Sequence, residues 1–332
     1  MIAGAAHFLG WPVLLAFFAA TGALAGLAWI VSFATEQVGE RFGPAATGVL
    51  QSTLGNLPEF FVVVFALRAG QTVVAQTSIV GSIFANALLV LGLALVAGCW
   101  RAEDGIMRFQ ARIANDTATL LLLAVFLIVL LGIGSRTRPD ISEHAGAISL
   151  VGALCLLGVY GRWLYRYLQT GTPEQSTGEA RVPMVVAVVL LAIGGVGAAL
   201  VSDWFVSALE PTIDRFDLTA AFAGIVIVAI AGNAVENTAA IALAWKGQSD
   251  LAISVVKNSV AQVAALLFPV LVLVSFAFAD HLTFELDPLF IGALALTALA
   301  VWQVSGDGEA SEFEGWALVA TYVVLATLTF FD

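Results

Sequence analysis

Apolar runs of about 20 residues follow one another along nearly the whole chain, each long enough to cross a hydrocarbon core of about 30 Å as a helix. We place ten, at Pro12–Ala34, Ala45–Leu67, Thr72–Gly98, Ile113–Leu131, Gly146–Leu168, Pro183–Ser207, Thr219–Trp245, Ser249–Phe278, Pro288–Val304 and Gly315–Phe331. Backbone surrounded by lipid must satisfy its own hydrogen bonds, so runs of this length cross as helices. Composition agrees: 60% of the 332 residues are hydrophobic and 11% charged, against about 25% charged in soluble domains, and mean hydropathy is +0.98. The expected fold is an all-α integral membrane protein of ten transmembrane helices with no soluble domain. Residues Met1–Trp11 lack the basic region and cleavage site of a removable signal, so the first span is expected to remain in the mature protein.

Two of the runs carry the same polar punctuation. Thr53–Gln71 reads TLGNLPEFFVVVFALRAGQ and Ile230–Gln248 reads IAGNAVENTAAIALAWKGQ. A shift of 177 residues carries Gly55 to Gly232, Asn56 to Asn233, Glu59 to Glu236, Gly70 to Gly247, Gln71 to Gln248 and, further on, Ser82 to Ser259. Six coincidences at one offset argue for duplication. The most loop-like stretch, rich in Gly, Thr, Ser, Pro and charge, falls at the midpoint. Residues 1–168 are thus read as a first repeat of five helices, 169–182 as a cytoplasmic linker and 183–332 as a second repeat. An odd number of spans per half makes the second copy enter the membrane from the opposite face. That is the inverted plan of many secondary transporters, whose sites lie near the midplane between the repeats.

Lys and Arg orient the frame, because loops rich in them stay in the cytoplasm. Loops opposite the N-terminus hold Arg41, Arg101, Arg108, Arg112, Arg162, Arg166, Arg181 and Lys246, whereas the N-terminal side holds Arg68, Arg136, Arg138 and Arg215. Both termini are therefore expected outside, in what is read as the plasma (inner) membrane of a prokaryote. The formal charge of −11 resides mostly in connecting loops and says little about partners; no nucleic acid is expected to bind.

An ionised side chain at a helix centre costs about 2.5–3.5 kcal/mol on insertion scales, so two at symmetric positions call for a compensating charge. A bound cation supplies it. Gly-Asn-x-x-Glu sets Asn and Glu three residues apart on one helical face, and the glycine permits a loosened backbone. Carboxylates with amide, hydroxyl and carbonyl oxygens suit a hard divalent cation: calcium takes six to eight oxygens at about 2.3–2.6 Å. The following helix of each half adds Ser82 and Asn86, or Ser259 and Gln262. Asn86 and Gln262 have a competing role in helix-to-helix hydrogen bonding. Glu36 and Asp203, near span ends, are candidates for a proton relay or entrance, with a solvated helix end as the plain alternative. Cys99 and Cys155 have no metal-site or redox spacing, and glycine-rich pieces such as AIGGVGAAL lack the context of a nucleotide site. No catalytic set and no organic cofactor are expected.

These motifs resemble a known family. GNLPEFFVVVFALRAGQ followed by SIVGSIFANALLVLG, and AGNAVENTAAIALA followed by NSVAQVAALLFPVLVLVS, are similar to the paired α-repeats of the calcium/cation antiporter superfamily, closest to its calcium/proton exchanger branch. FATEQVGERFG, ahead of the first repeat, fits the same pattern. The resemblance implies a sodium/calcium exchanger-like fold and secondary antiport of Ca2+ against H+. It makes Glu59 and Glu236 the main cation (metal) ligands, with Asn56, Asn233, Ser82, Ser259, Asn86 and Gln262 lining the site. Where the family has His and Gly, this chain has Asn237 and Asn258, and Lys257 places a positive charge inside a span. Lys257 and Asn237 are read as modulating residues; aimed at the carboxylates, Lys257 shifts preference toward a monovalent ion or alters proton coupling. That keeps open an antiporter of the same fold for Na+, Mn2+ or another cation, ahead of a passive channel or a membrane-embedded enzyme.

Overall fold

The computed structural model describes residues 2–39, 53–170 and 181–331. In chain order these form α1 (Ile2–Phe8), α2 (Val13–Gly39), α3 (Leu57–Arg68), α4 (Thr72–Arg101), β1 (Ile106–Arg108), α5 (Ala111–Thr137), α6 (Ala145–Thr170) and α7 (Met184–Phe216). There follow α8 (Ala220–Gly232), α9 (Ala234–Trp245), α10 (Ser249–Ser275), α11 (Pro288–Ser305), β2 (Glu309–Ser311) and α12 (Glu312–Phe330). Among the described residues eight helices are long and apolar enough to cross a membrane, or nine when α8 and α9, bent by 63°, count as one. Of the ten expected spans, Ala45–Leu67 loses its first part, 45–52, to the region outside the described residues, and α3 is what remains. Most of the expected linker 169–182 also lies outside them.

Helices α4 and α10 form the centre. Protein encloses 89% and 72% of their apolar windows, against 22% for α2 and α7, so the latter turn most of their apolar surface to lipid. The two central helices run antiparallel. Gln76, in the second turn of α4, donates to the carbonyls of Thr283 and Glu285, just beyond the end of α10. At the opposite face the loop after α4 meets the start of α10, where the backbone N–H of Gln110 donates to Asp250 Oδ1 at 2.7 Å. Two copies of one helix set thus point in opposite directions, as an inverted repeat requires. Each central helix also widens to a π turn, Ala85–Val90 in α4 and Val263–Leu267 in α10, ending at Val90 and Leu267, again 177 residues apart. Such turns interrupt the regular ladder and cluster near functional sites.

Small residues set the helix crossings. A Cβ on Gly92 of α4 would stand 2.6 Å from the carbonyl oxygen of Gly315 in α12, and one on Gly315 would stand 2.7 Å from that of Gly92. Gly81 meets the backbone of Ile225, and Gly224 meets Thr77 and Ser78, so α4 and α8 touch main chain to main chain. Without a hydrophobic drive between helices in lipid, this close packing holds them together.

The all-α expectation has one small exception. Strands β1 and β2 pair antiparallel, Met107 opposite Ala310, and tie the loop after α4 to the loop before α12. Arg108 bridges Asp104 at 2.7 Å and Glu309 at 3.2 Å. Helix α12 starts three residues before the expected Gly315, because Ser311 and Glu314 form a reciprocal capping box that satisfies otherwise orphaned N–H groups.

Replacing Gly92 by Ala forces backbone apart and is expected to cost about 1–3 kcal/mol. Thermal unfolding in detergent should show a lower Tm than for Gly26→Ala, where a Cβ meets nothing within 4 Å.

Candidate cation site

The site is built on two helix breaks. Asn233, with φ −107° and ψ 12°, separates α8 from α9. Its counterpart Asn56, with φ −81° and ψ 4°, separates the helical residues 53–55 from α3. Pro58 sits in the first turn of α3, where its missing N–H removes no helical bond. Glu59 and Glu236 accordingly occupy the first turns of α3 and α9, at the helix ends whose dipole favours negative charge.

Each motif's glycine lies against the other motif's glutamate. A Cβ on Gly55 would be 2.8 Å from Glu236 Oε1, and one on Gly232 would be 3.7 Å from the Cβ of Glu59. Segments 177 residues apart in sequence therefore converge on one locus. Glu236, partly exposed, accepts a 2.7 Å hydrogen bond from the Ser259 hydroxyl. Ser259 in turn accepts from Asn86 Nδ2 at 3.1 Å. Across the locus, Asn233 Nδ2 donates to Ser82 Oγ at 2.9 Å and to the Ala229 carbonyl at 3.0 Å. Glu59, 2% exposed, lies among Ser82, Asn233 and Glu236. Neither of its oxygens receives a well-formed hydrogen bond from the described residues. A buried carboxylate so placed is costly unless a proton or a cation joins it.

The other expected residues divide. Asn56 and Gln262 line a cavity of about 190 Å3 with Thr53, Leu57, Phe60, Leu266, Leu267 and Val270. Asn86 reaches the carboxylates through Ser259. Asn237 is buried on α9, its carbonyl oxygen without a partner among the described residues. Glu36 is partly exposed near the end of α2. Asp203 lines a separate cavity of about 410 Å3 with Arg68, Gln71 and Glu210. The 3.1 Å hydrogen bond from Gln71 to Glu210 there had no sequence signal, since 139 residues separate the partners.

Lys257 is where the structure adds most to the sequence reading, which left its direction open. Two residues before Ser259 place it about 200° around the helix from that serine. Its ammonium donates to the Ser305 hydroxyl of α11, among Ala87, Leu91, Val256, Val260 and Val301. It is directed away from the carboxylates, not toward them, and 3% exposure leaves no snorkelling to an interface. Asn258, beside it, donates to Ser254 on its own helix at 3.2 Å.

Among the described residues no group of three or more His, Cys, Asp or Glu side chains gathers to hold a metal. A cation at this locus must draw on two carboxylates and neutral oxygens, the donor set of a hard ion that is bound and released. Two antiparallel copies of one set of apolar helices, whose broken segments bring one acidic group each to a common locus, define an inverted-repeat membrane carrier.

The chain belongs to the sodium/calcium exchanger protein family, whose profile matches residues 12–169 and 186–331. It is similar to a Ca(2+)/H(+) antiporter of Synechocystis sp., 32% identical over 349 residues that span 98% of this chain and 94% of the relative. Its fold matches that of the Ca2+/H+ antiporter YfkE with a TM-score of 0.83 at 26% identity, covering 100% of this chain and 96% of that one. The sodium-calcium exchanger NCX_Mj shares the fold, with a TM-score of 0.62 at 17% identity over 94% of this chain and 96% of its own.

Ser305→Ala leaves the buried Lys257 ammonium short of an acceptor and should cost about 1–3 kcal/mol. Lys257→Met should cost less, and on that background Ser305→Ala should add little. Thermal unfolding of the four proteins in detergent measures the coupling.

Proposed function

We propose that the protein is a secondary antiporter that exchanges Ca2+ for H+ at a site shared by Glu59 and Glu236. The observation that carries this reading is the crossed contact of the two motifs, Gly55 beside Glu236 and Gly232 beside Glu59, within an antiparallel helix core. Family membership and the likeness to the Synechocystis antiporter over nearly the full chain support the choice of ions. Residues 1–168 and 183–332 act as the two inverted five-helix repeats, joined through 169–182.

The roles follow from donor chemistry. Glu59 and Glu236 carry the charge that Ca2+ or protons neutralise. Asn56, Asn233, Ser82 and Ser259 supply neutral oxygens, the two serines also orienting or facing the carboxylates. Asn86 holds Ser259, and Gln262 lines the approach by way of the cavity it shares with Asn56. Asp203 lies in the wider cavity at the Arg68 face and serves as an entrance; Glu36 is assigned to proton relay. Asn237 adjusts the second motif from within α9, and Lys257 acts at a distance, through the packing of α10 on α11.

Exchange works by mutual exclusion. One Ca2+ or two protons bring the pair of carboxylates to neutrality, and either load allows the site to be sealed from water. An empty pair of charges is expensive to bury, so the carrier returns only when loaded. Rocking of one repeat against the other then exposes the site to alternate faces. With both termini outside and the Arg-rich loops in the cytoplasm of a prokaryotic cell, an inward proton gradient drives Ca2+ out. Calcium is the substrate, and no resident cofactor takes part.

In inverted membrane vesicles, a pH gradient should drive Ca2+ uptake that falls to background in Glu59→Gln and in Glu236→Gln. Wild-type uptake in either variant would remove the assignment, and gradient-driven uptake of Na+ or Mn2+ in preference to Ca2+ would change the substrate. Gly55→Ala displaces only the flexible end of Glu236. It should leave thermal stability near wild type while raising the apparent KM for Ca2+, read from the concentration dependence of the same uptake.

A further inference from the structure

Helix α6 contributes none of the residues assigned to the ion, yet it carries a buried polar group that faces one of them, Gln262. Tyr160 is 3% exposed, and its hydroxyl makes no hydrogen bond with the described residues. The polar groups it faces are Thr53 and Gln262. Both belong to the wall of the cavity of about 190 Å3 that also holds Asn56. Thr53 lies three residues ahead of Asn56 in the first repeat, and Gln262 one turn beyond Ser259 in the second. The ring itself is fixed, packing against Trp163 at 5.5 Å, and α6 rests on the π turn of α10.

A ring without the hydroxyl would fill the same apolar space, so it is the hydroxyl that needs a purpose. A phenol both donates and accepts, and a buried one left without a partner is costly. Its prospective partners line a void, and they come from the two halves that must move against each other.

We propose that Tyr160 is a positioning residue of the exchange cycle, its hydroxyl bridging Thr53 and Gln262 when the cavity between the repeats closes over the loaded site. The proposal rests on the reading of Glu59 and Glu236 as the exchange site. Tyr160 touches no ion; it stabilises the occluded arrangement by joining the two repeats, and so sets how often a loaded carrier crosses.

The test is pH-gradient-driven Ca2+ uptake by the full chain in proteoliposomes, with Vmax and apparent KM measured separately. Tyr160→Phe should lower Vmax about three- to tenfold, the span of one net hydrogen bond, with the apparent KM unchanged and the Tm in detergent no lower than wild type. Thr53→Val should reproduce the fall in Vmax. In a Gln262→Met background, Tyr160→Phe should cause no further fall, because the bridge is already gone. An unchanged Vmax in Tyr160→Phe, or the same proportional fall with and without Gln262, would overturn the proposal. Glu59→Gln separates the two readings: uptake surviving that substitution defeats the exchange site itself, whereas its loss beside a fully active Tyr160→Phe defeats the bridge alone.

Discussion

Two carboxylates brought together inside a bundle of apolar helices cannot both stay charged and alone. Glu59 is almost wholly buried, without a well-formed hydrogen bond among the described residues, and Glu236 holds one from Ser259. Burial multiplies the cost of an unpaired charge, because the surroundings neither screen nor solvate it. Around that pair the helices break at Asn56 and Asn233, each motif's glycine lies beside the other's glutamate, and hydroxyls and amides gather. On the proposed reading such a site is stable only when loaded, and a carrier that moves only when loaded is an exchanger.

The scaffold supplies the geometry that makes the pair possible. Antiparallel α4 and α10 bring Ser82 and Ser259 to the two motifs, and each helix widens to a π turn about one helical turn further on. Close backbone crossings at Gly81, Gly92, Gly224 and Gly315 bring neighbouring helices into main-chain contact. The resulting core is dense where helices cross and open only at cavities such as those beside Asn56 and beside Asp203. Three buried polar groups outside the carboxylate locus have distinct local partners: Lys257 finds Ser305, and Thr35 and Thr212 bond back to their own helices.

Much of the site was legible in one dimension because membrane burial makes polar residues conspicuous. Glu59 and Glu236 stand out inside apolar runs, and the constant offset of 177 residues marks them as counterparts. The break at Asn233 was foreshadowed by Gly232, and the start of α12 by the Ser311 to Glu314 spacing, although counting apolar residues placed that start three positions late. Where Lys257 points was open from the sequence, for a geometric reason. It lies two residues from Ser259, and two residues along a helix nearly reverse the direction of a side chain, so closeness in sequence does not decide which neighbour it meets. Tyr160 gave no signal, since a lone tyrosine in an apolar run looks like any aromatic packing residue until its neighbours are known.

The sequence by itself determined the membrane setting, the helical class, the duplication and the acidic pair, because each follows from local hydropathy or from spacing along the chain. Only the tertiary structure decided that Gly55 meets Glu236, that Asn86 reaches the second repeat's serine, that Lys257 turns to α11 and that Tyr160 faces Gln262. Those contacts join residues separated by 48 to 181 positions, and they depend on the rotation and depth of whole helices. Hydropathy fixes that a helix crosses the membrane; close packing against its neighbours fixes which way it faces.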